Sequence, residues 1–531
     1  MHKSLRALTC FAIGTFTAMA HAGLFDKGFS HPACPENVFV RKSDGYLIDV
    51  DSSKAARNLQ PSFFGFNVEW IEFQLSLWDS ARARARAELV DALKAFPGAV
   101  YRYPGGGDGA ANHVNWREAE QPRGDRKKSA RAGWTPPIAF DFGPDEYLDF
   151  VAEVGGTAWY IANLYGREQG EQPSSVMASE ASALAAKLAA RRTAGKPSVF
   201  RWELGNELDR HTVRWRPEKL TQVARDVALA IRAVDAKSTF VISQQEYPAM
   251  SKEGFTSAQY NRDTAARLKG LVDEYAIHIY YDGNGAQPPL PQKLLGLCAA
   301  IADAKSVRTQ DESVRFWITE HAQVPQGMWS GGGINKAAWK GTASLQAAVS
   351  TADMLISASQ IPEVQGAYIH TLHATDGPWP MFHQSADKAR LWPGAVFLAT
   401  RILRESMLPV VLPTQTHSRS QSGYDGGYDT HAVAMTDEAR QRYALWAVNR
   451  SKSSATTSVR IPALRGQSIK ASVVALSDTQ LEANNYASPD RLRPLASSVQ
   501  LSFDKEGVAA ITLPPQAVYT LRLDLRAAVE K

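Results

Sequence analysis

The chain has 531 residues, 44% of them hydrophobic and 21% charged, with a formal net charge of +5. This is ordinary globular composition, long enough for two or three domains, and it excludes fibrous and disordered classes. So small a charge spread over so long a chain gives no reason to invoke nucleic acid.

Residues 1–22 read as a secretory signal. Lys3 and Arg6 form a basic start, Ala7 to Thr17 an apolar core, and Ala20-His21-Ala22 the small-x-small form that a signal peptidase requires. The expectation is an exported protein, secreted or periplasmic, whose mature chain begins at Gly23; the alternative is an uncleaved anchor. No later run of about 18 apolar residues follows, so no membrane contact is expected once the signal is removed. Removal also takes away Cys10 and lowers the net charge by two. Cys34 and Cys298 remain, and in an oxidising compartment they form either a disulfide or two unrelated thiols.

Val38 to Asp51 reads as two short strands around Ser43-Asp44-Gly45, a hairpin signal. Eight strand candidates follow: Phe63 to Trp70, Ala99 to Tyr103, Thr157 to Leu164, Val199 to Leu204, Thr239 to Ser243, Tyr275 to Tyr281, Val314 to Thr319 and Val364 to Leu372. Helical stretches separate most of them. Leu220, Val223, Val227, Ile231 and Val234, and again Leu345, Val349, Ala352 and Ile356, recur at a spacing of three or four and mark one apolar stripe per helix. Eight alternations of buried strand and helix predict a closed (β/α)8 TIM barrel. After about Glu405 the helical pattern stops. Short strands at Tyr443 to Val448, Ser458 to Ile461, Ala471 to Leu476, Gln500 to Phe503, Ala509 to Leu513 and Ala517 to Leu525 predict an accessory antiparallel β-sandwich. The expected plan is signal 1–22, arm and hairpin 23–58, barrel 59–405 and sandwich 406–531.

Two stretches stand out: Arg201-Trp202-Glu203-Leu204-Gly205-Asn206-Glu207 and Trp317-Ile318-Thr319-Glu320-His321. Each glutamate falls where a buried strand gives way to a loop, which in such a barrel is the active-site face. About three βα units of about 35 residues separate them, placing them on the fourth and seventh strands. Two carboxylates on two strand ends fit glycoside hydrolysis, in which one carboxylic acid protonates the leaving oxygen and the other attacks the anomeric carbon or activates water.

Trp202-Glu203-Leu204-Gly205-Asn206-Glu207, with a second glutamate on a later strand tip, resembles the retaining glycosidases of clan A. Phe64-Gly65-Phe66-Asn67-Val68-Glu69 and Arg102-Tyr103-Pro104-Gly105-Gly106 are most similar to family 51, the α-L-arabinofuranosidases, which usually carry Asn where this chain has Gly107. Glu203 to Glu207 and the run Gly331-Gly332-Gly333 also resemble family 79, the heparanases and β-glucuronidases. The resemblance covers most of residues 60–400. It implies Glu207 as acid/base, Glu320 as nucleophile and an N-terminal hairpin that joins the sandwich.

Glu207 must stay protonated, which a neighbouring carboxylate favours; Glu320 must be ionised, which Arg102 and the Tyr280 hydroxyl favour. Asn206 is placed to donate to a sugar 2-hydroxyl, or to tie down its own loop. Glu69 resembles a family 51 glutamate that binds sugar hydroxyls, and alternatively pairs with Arg102. His278 either positions the site or is a packed rim histidine. His370, His373 and Asp376 also end the eighth strand. Of Trp70, Trp116, Trp134, Trp329, Trp339, Trp379 and Phe382, most are expected in packing. Trp379, between turn residues, is the expected sugar platform. The basic run Arg123 to Arg131 is a solvated loop face or a contact for an acidic polysaccharide.

No Gly-x-Ser-x-Gly elbow, phosphate loop or zinc spacing occurs, and Gly105 to Ala110 is only a loose dinucleotide pattern. No cofactor or metal is expected. The leading reading is a retaining glycosidase acting on an oligosaccharide or polysaccharide, most like an α-L-arabinofuranosidase. A β-glucuronidase-like or endo-acting exopolysaccharide hydrolase is the alternative, and a carbohydrate-binding protein the non-enzyme reading. The sequence does not fix the oligomeric state.

Overall fold

The computed structural model describes residues 29–525 apart from 107–110, 127, 132–133, 168–169, 200, 211–212, 247–255, 273, 284–287, 310–311, 331–332 and 421–426. The signal at 1–22, Gly107 and Gly331-Gly332 therefore lie outside the described residues, as do the side chains of Trp134 and Trp329.

Eight parallel strands close into a barrel: β1 (Phe64–Asn67), β2 (Val100–Tyr103), β3 (Thr157–Ala162), β4 (Arg201–Leu204), β5 (Thr239–Ser243), β6 (Glu274–Tyr281), β7 (Arg315–Gln323) and β8 (Val364–Ile369). Their near-continuous apolar runs are explained by burial on both faces, against the helices outside and the barrel interior within. The helix Pro217–Val234 buries Leu220, Val223, Val227 and Ile231, the predicted stripe, and leaves Val234 exposed at its end. Three strands end earlier than their apolar runs, and of these β3 stops at Ala162, short of Leu164. At β1 the run continues to Trp70, but Trp70 opens a helix, Trp70–Ser76; beyond β8, His370 to Leu372 leave the sheet for the loop.

The barrel interior is layered. Low in it, Val100, Trp159, Val241, Ala276, Trp317 and Tyr368 pack into an apolar plug, on which the Arg201 guanidinium stacks 4.5 Å from the Trp317 ring. Above that plug the inward positions turn polar: Asn67, Arg102, Glu203, His278, Thr319 and Glu320 are all buried.

The C-terminal region forms two sheets around a second core that includes Ile48, Leu412, Leu445, Ile511 and Leu521. One sheet has seven strands, ordered Leu495–Ser502, Ser468–Ser477, Ala517–Asp524, Arg442–Asn449, Thr430–Thr436, Val410–Leu412 and Arg57–Asn58, with all neighbours antiparallel. The other has five. The expected N-terminal hairpin is corrected here: Arg41–Lys42 and Leu47–Val50 do not pair with each other, because Thr414–Ser418 lies between them. Ser43-Asp44-Gly45 still turns the chain, but over the edge of an inserted strand. Both N-terminal strands join the five-stranded sheet.

Two devices tie the units together. Cys34 and Cys298 form a disulfide, with Cα atoms 5.6 Å apart, joining the N-terminal arm to the barrel helix Leu290–Ser306. Arg450 of the sandwich is fully buried between Asp353, at 2.7 Å, and Asp282, at 3.1 Å; Asp282 directly follows β6.

Candidate active site

The polar layer is organised by Arg102 at the end of β2. Its Nε and Nη2 donate to the two oxygens of Glu203 at 2.6 and 2.8 Å. Nη1 donates to Glu320 Oε1 and to Asn67 Oδ1, both at 2.7 Å, and Nη2 also reaches Asn206 Oδ1 at 2.7 Å. One guanidinium thus links β1, β2, β4 and β7. Such a fully buried cation is tolerated because its donors face acceptors, two of them carboxylates.

Glu207 enters from the end of β4. Gly205 has a φ of 79°, and a Cβ there would lie 2.6 Å from Leu208, so only glycine allows the chain to turn so sharply off the strand. Glu207 itself has a φ of 50°, a left-handed conformation that a non-glycine residue adopts at a cost of about 1 kcal/mol or more, and which recurs at functional sites. The turn aims Glu207 at His278. The His278 ring places Nδ1 2.7 Å from Glu207 Oε1 and 3.4 Å from Glu320 Oε2, while Nε2 faces an Arg102 N–H at 3.4 Å. Arg210 also addresses Glu207 Oε1, at 3.4 Å, and is shared with Asp209.

One oxygen of Glu207, one of Glu320 and a ring nitrogen of His278 all lie within 4.8 Å of one another. Tyr280 donates its hydroxyl to Glu320 Oε2 at 2.8 Å. Gly106 packs directly on the nucleophile candidate, since a Cβ there would fall 1.9 Å from Glu320 Oε1. Burial pushes the Glu320 carboxyl up, but His278, His370 and Arg102 outweigh it and hold the group below its ordinary range. Of the three, Arg102 is charged at every working pH.

Trp379, with a φ of 61°, sits over the site, its ring 5.3 Å from that of Tyr280 and 5.2 Å from that of His370. Its indole N–H donates to the Gln323 carbonyl at 2.8 Å, which fixes the ring's edge. The Asn206 carboxamide is buried, and its Nδ2 has no partner. A buried donor left unmatched costs about 1–3 kcal/mol unless something fills the site.

The predicted residues Glu207, Glu320, Arg102, Asn206, His278, Tyr280 and Trp379 are therefore neighbours. Glu69 is placed differently from its Arg102 pairing: it faces His370, with Oε1 3.6 Å from Nε2, because Glu203 and Glu320 occupy the guanidinium. Burial first, then Glu72 and Glu320, push the Glu69 carboxyl well above its ordinary range. Sequence reasoning passed over Glu203 and Asn67. A signal for Glu203 existed: two positions before Gly205 on the same buried strand, it must point inward, and a buried carboxylate needs a cation.

Several other candidates lie in packing. Trp70, Trp116 and Phe382 are buried. In the basic run, Arg126 and Arg123 turn back onto Glu146 at 2.8 and 3.5 Å, and Arg126 also caps the Phe140 and Asp141 carbonyls.

No family model matches the chain. Among curated proteins it is similar to an intracellular exo-α-(1→5)-L-arabinofuranosidase of Streptomyces lividans, 25% identical over 211 residues, which are 37% of this chain and 30% of that one. A probable α-L-arabinofuranosidase C of Aspergillus terreus is 23% identical over 238 residues, 41% of this chain and 45% of that one. The matches thus span less than half the length of these relatives. Among solved structures, an arabinose complex of the α-L-arabinofuranosidase from Thermotoga maritima superposes with a TM-score of 0.73 at 16% identity, covering 91% of this chain and all of that one. The fold is that of the family 51 arabinofuranosidases. The family 51 arabinofuranosidase from Xanthomonas axonopodis pv. citri agrees, with a TM-score of 0.72 at 17% identity over 90% of this chain and all of that one. The barrel and the sandwich are thereby shared with these structures across nearly the whole length.

Proposed function

We propose that the protein is a retaining glycoside hydrolase that releases α-L-arabinofuranosyl units from an oligosaccharide or polysaccharide, with Glu320 as nucleophile and Glu207 as acid/base. The observation that carries this is that an oxygen of one glutamate lies within 4.8 Å of an oxygen of the other, with His278 bridging them. Retaining enzymes hold their carboxyl groups about 5–5.5 Å apart, whereas inverting enzymes need about 6.5–9.5 Å to admit a water.

In the first step Glu320 attacks the anomeric carbon while the glycosidic C–O bond breaks and the leaving oxygen takes the proton of Glu207. In the second, Glu207 removes a proton from water, which attacks the same carbon and frees the Glu320 carboxylate. His278 and Arg210 both address Glu207 Oε1. Tyr280 and Arg102 hold one nucleophile oxygen each. The unmatched Asn206 amide serves a sugar hydroxyl, and Trp379 receives the apolar face of the ring.

The charges favour a neutral sugar over a uronate. Arg102 and Arg210 are cations bonded to the two glutamates, and each is also committed to another carboxylate, Glu203 or Asp209. A sugar carboxylate entering beside the ionised Glu320 would meet like charge. The β-glucuronidase-like reading retains the support of its Glu-Leu-Gly-Asn-Glu motif, and one experiment separates the two. Aryl α-L-arabinofuranoside, β-D-glucuronide, β-D-xyloside and β-D-glucoside are offered in turn, and the first-formed anomer is read by proton NMR. Release of arabinose with retained configuration is expected; exclusive cleavage of the glucuronide would replace this reading, and no cleavage of any would favour endo action or carbohydrate binding alone.

Export is proposed with it. The signal-like residues 1–22 and the Cys34–Cys298 disulfide both suit an oxidising compartment. Sequencing the N-terminus of protein recovered from outside the cytoplasm should begin at Gly23; recovery only from the cytoplasm with Met1 intact would refute export.

A further inference from the structure

Glu203 has no task in the mechanism above, yet its side chain is completely enclosed. It is fully buried, and its two oxygens accept from Arg102 Nε at 2.6 Å, Arg102 Nη2 at 2.8 Å, Trp159 Nε1 at 2.8 Å and Thr319 Oγ1 at 3.4 Å. Burying a carboxylate costs several kcal/mol before its partners offset it, and replacing a buried ion pair by apolar side chains is often neutral or stabilising. Stability alone is thus a weak reason for a carboxylate here. The same guanidinium that grips Glu203 through two nitrogens presents the third, Nη1, to Glu320 at 2.7 Å. Two carboxylates therefore share one cation, and the trio carries a net negative charge.

This sharing has two consequences for Glu320. The bidentate grip of Glu203 fixes the plane of the guanidinium, so Nη1 can hold the nucleophile in only one place. The negative charge of Glu203 also weakens the pull of Arg102 on Glu320. An undivided cation at 2.7 Å would stabilise the Glu320 carboxylate so strongly that its attack on carbon would slow, since nucleophilicity falls as basicity falls.

We propose that Glu203 is a positioning residue that acts through Arg102, orienting the guanidinium under Glu320 and dividing its charge so that the nucleophile is held in place but stays reactive. The proposal rests on Glu320 being the nucleophile. The other groups facing Glu320 are His278 at 3.4 Å, His370 at 3.7 Å, Tyr280 at 2.8 Å and Glu207 within 4.8 Å, with Glu69 and the Arg210 cation further back; Glu203 is tied to Glu320 through Arg102.

The test compares Glu203→Gln, which removes the charge and keeps the shape, with Glu203→Asp, which keeps the charge and shortens the reach. Initial rates are measured across pH on an aryl α-L-arabinofuranoside whose leaving group needs no protonation, so that glycosylation reports Glu320 alone. Losing a negative charge makes Glu320 easier to ionise. The acid limb of kcat/KM in Glu203→Gln should therefore move down by about one pH unit, a tenfold change in the ionisation constant, with a plateau at least tenfold lower. In Glu203→Asp the plateau falls but the limb stays. Trp159→Phe, a milder change, removes a donor from Glu203, leaves its charge more fully on Arg102 and should move the limb upward by a few tenths of a unit. The same titration is followed by carbon-13 NMR of labelled glutamate carboxyls, with Glu320 assigned by its absence in Glu320→Gln. An unmoved Glu320 titration in folded Glu203→Gln, or an equal shift in Glu203→Asp, overturns the proposal. If Glu203→Gln does not fold, a downward or absent shift in Trp159→Phe does so instead. Wild-type protein inert on every glycoside refutes the enzymatic reading, while the NMR titration still decides the charge sharing.

Discussion

Replacing Arg102 by methionine leaves the volume of the side chain nearly intact and removes one charge. In the wild-type protein the guanidinium is fully buried and donates to Glu203, Glu320, Asn67 and Asn206. Its loss strands two carboxylates that are 0% and 2% exposed. Removing one partner of a buried pair typically costs about 3–5 kcal/mol, and stranding two puts this variant at the upper end. The cost has a pH signature. Glu320 sits below its ordinary range in the folded protein, so its pairing contributes stability above the unfolded value and loses it as pH falls through the depressed folded range. The gap between wild type and Arg102→Met should thus be widest near pH 7 and should narrow in acid, where a protonated Glu320 no longer needs a cation. Urea denaturation followed by tryptophan fluorescence at pH 7 and at pH 4 measures both quantities. Equal stability at pH 7, or a gap that widens in acid, would refute the reasoning that Arg102 holds Glu320 ionised.

Three further outcomes follow from the same geometry. Tyr280→Phe removes the hydroxyl that donates to Glu320 Oε2, a bond to a charged group worth about 1.5–3 kcal/mol; the rate should fall about 10- to 100-fold and the acid limb of the pH profile move up, and an unchanged limb would argue that Tyr280 does not act on Glu320. Trp379→Ala should raise KM about tenfold, the value of a lost aromatic face, while leaving the melting temperature within a few degrees; an unchanged KM would remove Trp379 from the substrate platform. Cys298→Ser opens a link spanning 264 residues and should cost about 2–4 kcal/mol with little effect on activity at 25 °C, and reductant should lower the melting temperature of wild type but not of the variant.

Much of the architecture was legible because barrel strands buried on both faces leave apolar runs, and their helices leave stripes, that local pattern reading detects. The position of Glu207 followed from the rule that strand ends form the active face, whereas Glu320 lies inside β7, which runs on to Gln323 beyond the expected end at Thr319. Failures occurred where partners are distant in sequence. Arg41–Lys42 and Leu47–Val50 look like a hairpin because nothing local reveals that Thr414–Ser418 will lie between them. The assignment of Arg102 to Glu69 rested on two adjacent strand ends. The actual partner, Glu203, comes from β4, and only the closed barrel brings it under the guanidinium. Trp379 was legible as a residue hard to bury, but its contacts with Tyr280 and His370 depend on the loop after β8 folding back over the mouth. The basic run Arg123 to Arg131 shows the opposite failure, since Glu146, which draws Arg123 and Arg126 inward, lies beyond the run itself.

The central claim is the division of labour between the two glutamates, and chemical rescue tests it most directly. Glu207→Ala should still form the glycosyl-enzyme from a substrate whose leaving group needs no proton, then stall because no base activates water. Added azide should restore turnover and give a glycosyl azide of the substrate's own anomeric configuration. In Glu320→Ala the first attack is lost, so azide can enter only from the vacated face and should give the inverted azide. Circular dichroism establishes that both variants are folded, and NMR reads the products. Retained azide from Glu207→Ala with inverted azide from Glu320→Ala is the predicted pair; the reverse pair would exchange the two roles, and no rescue in either folded variant would contradict catalysis by these two residues.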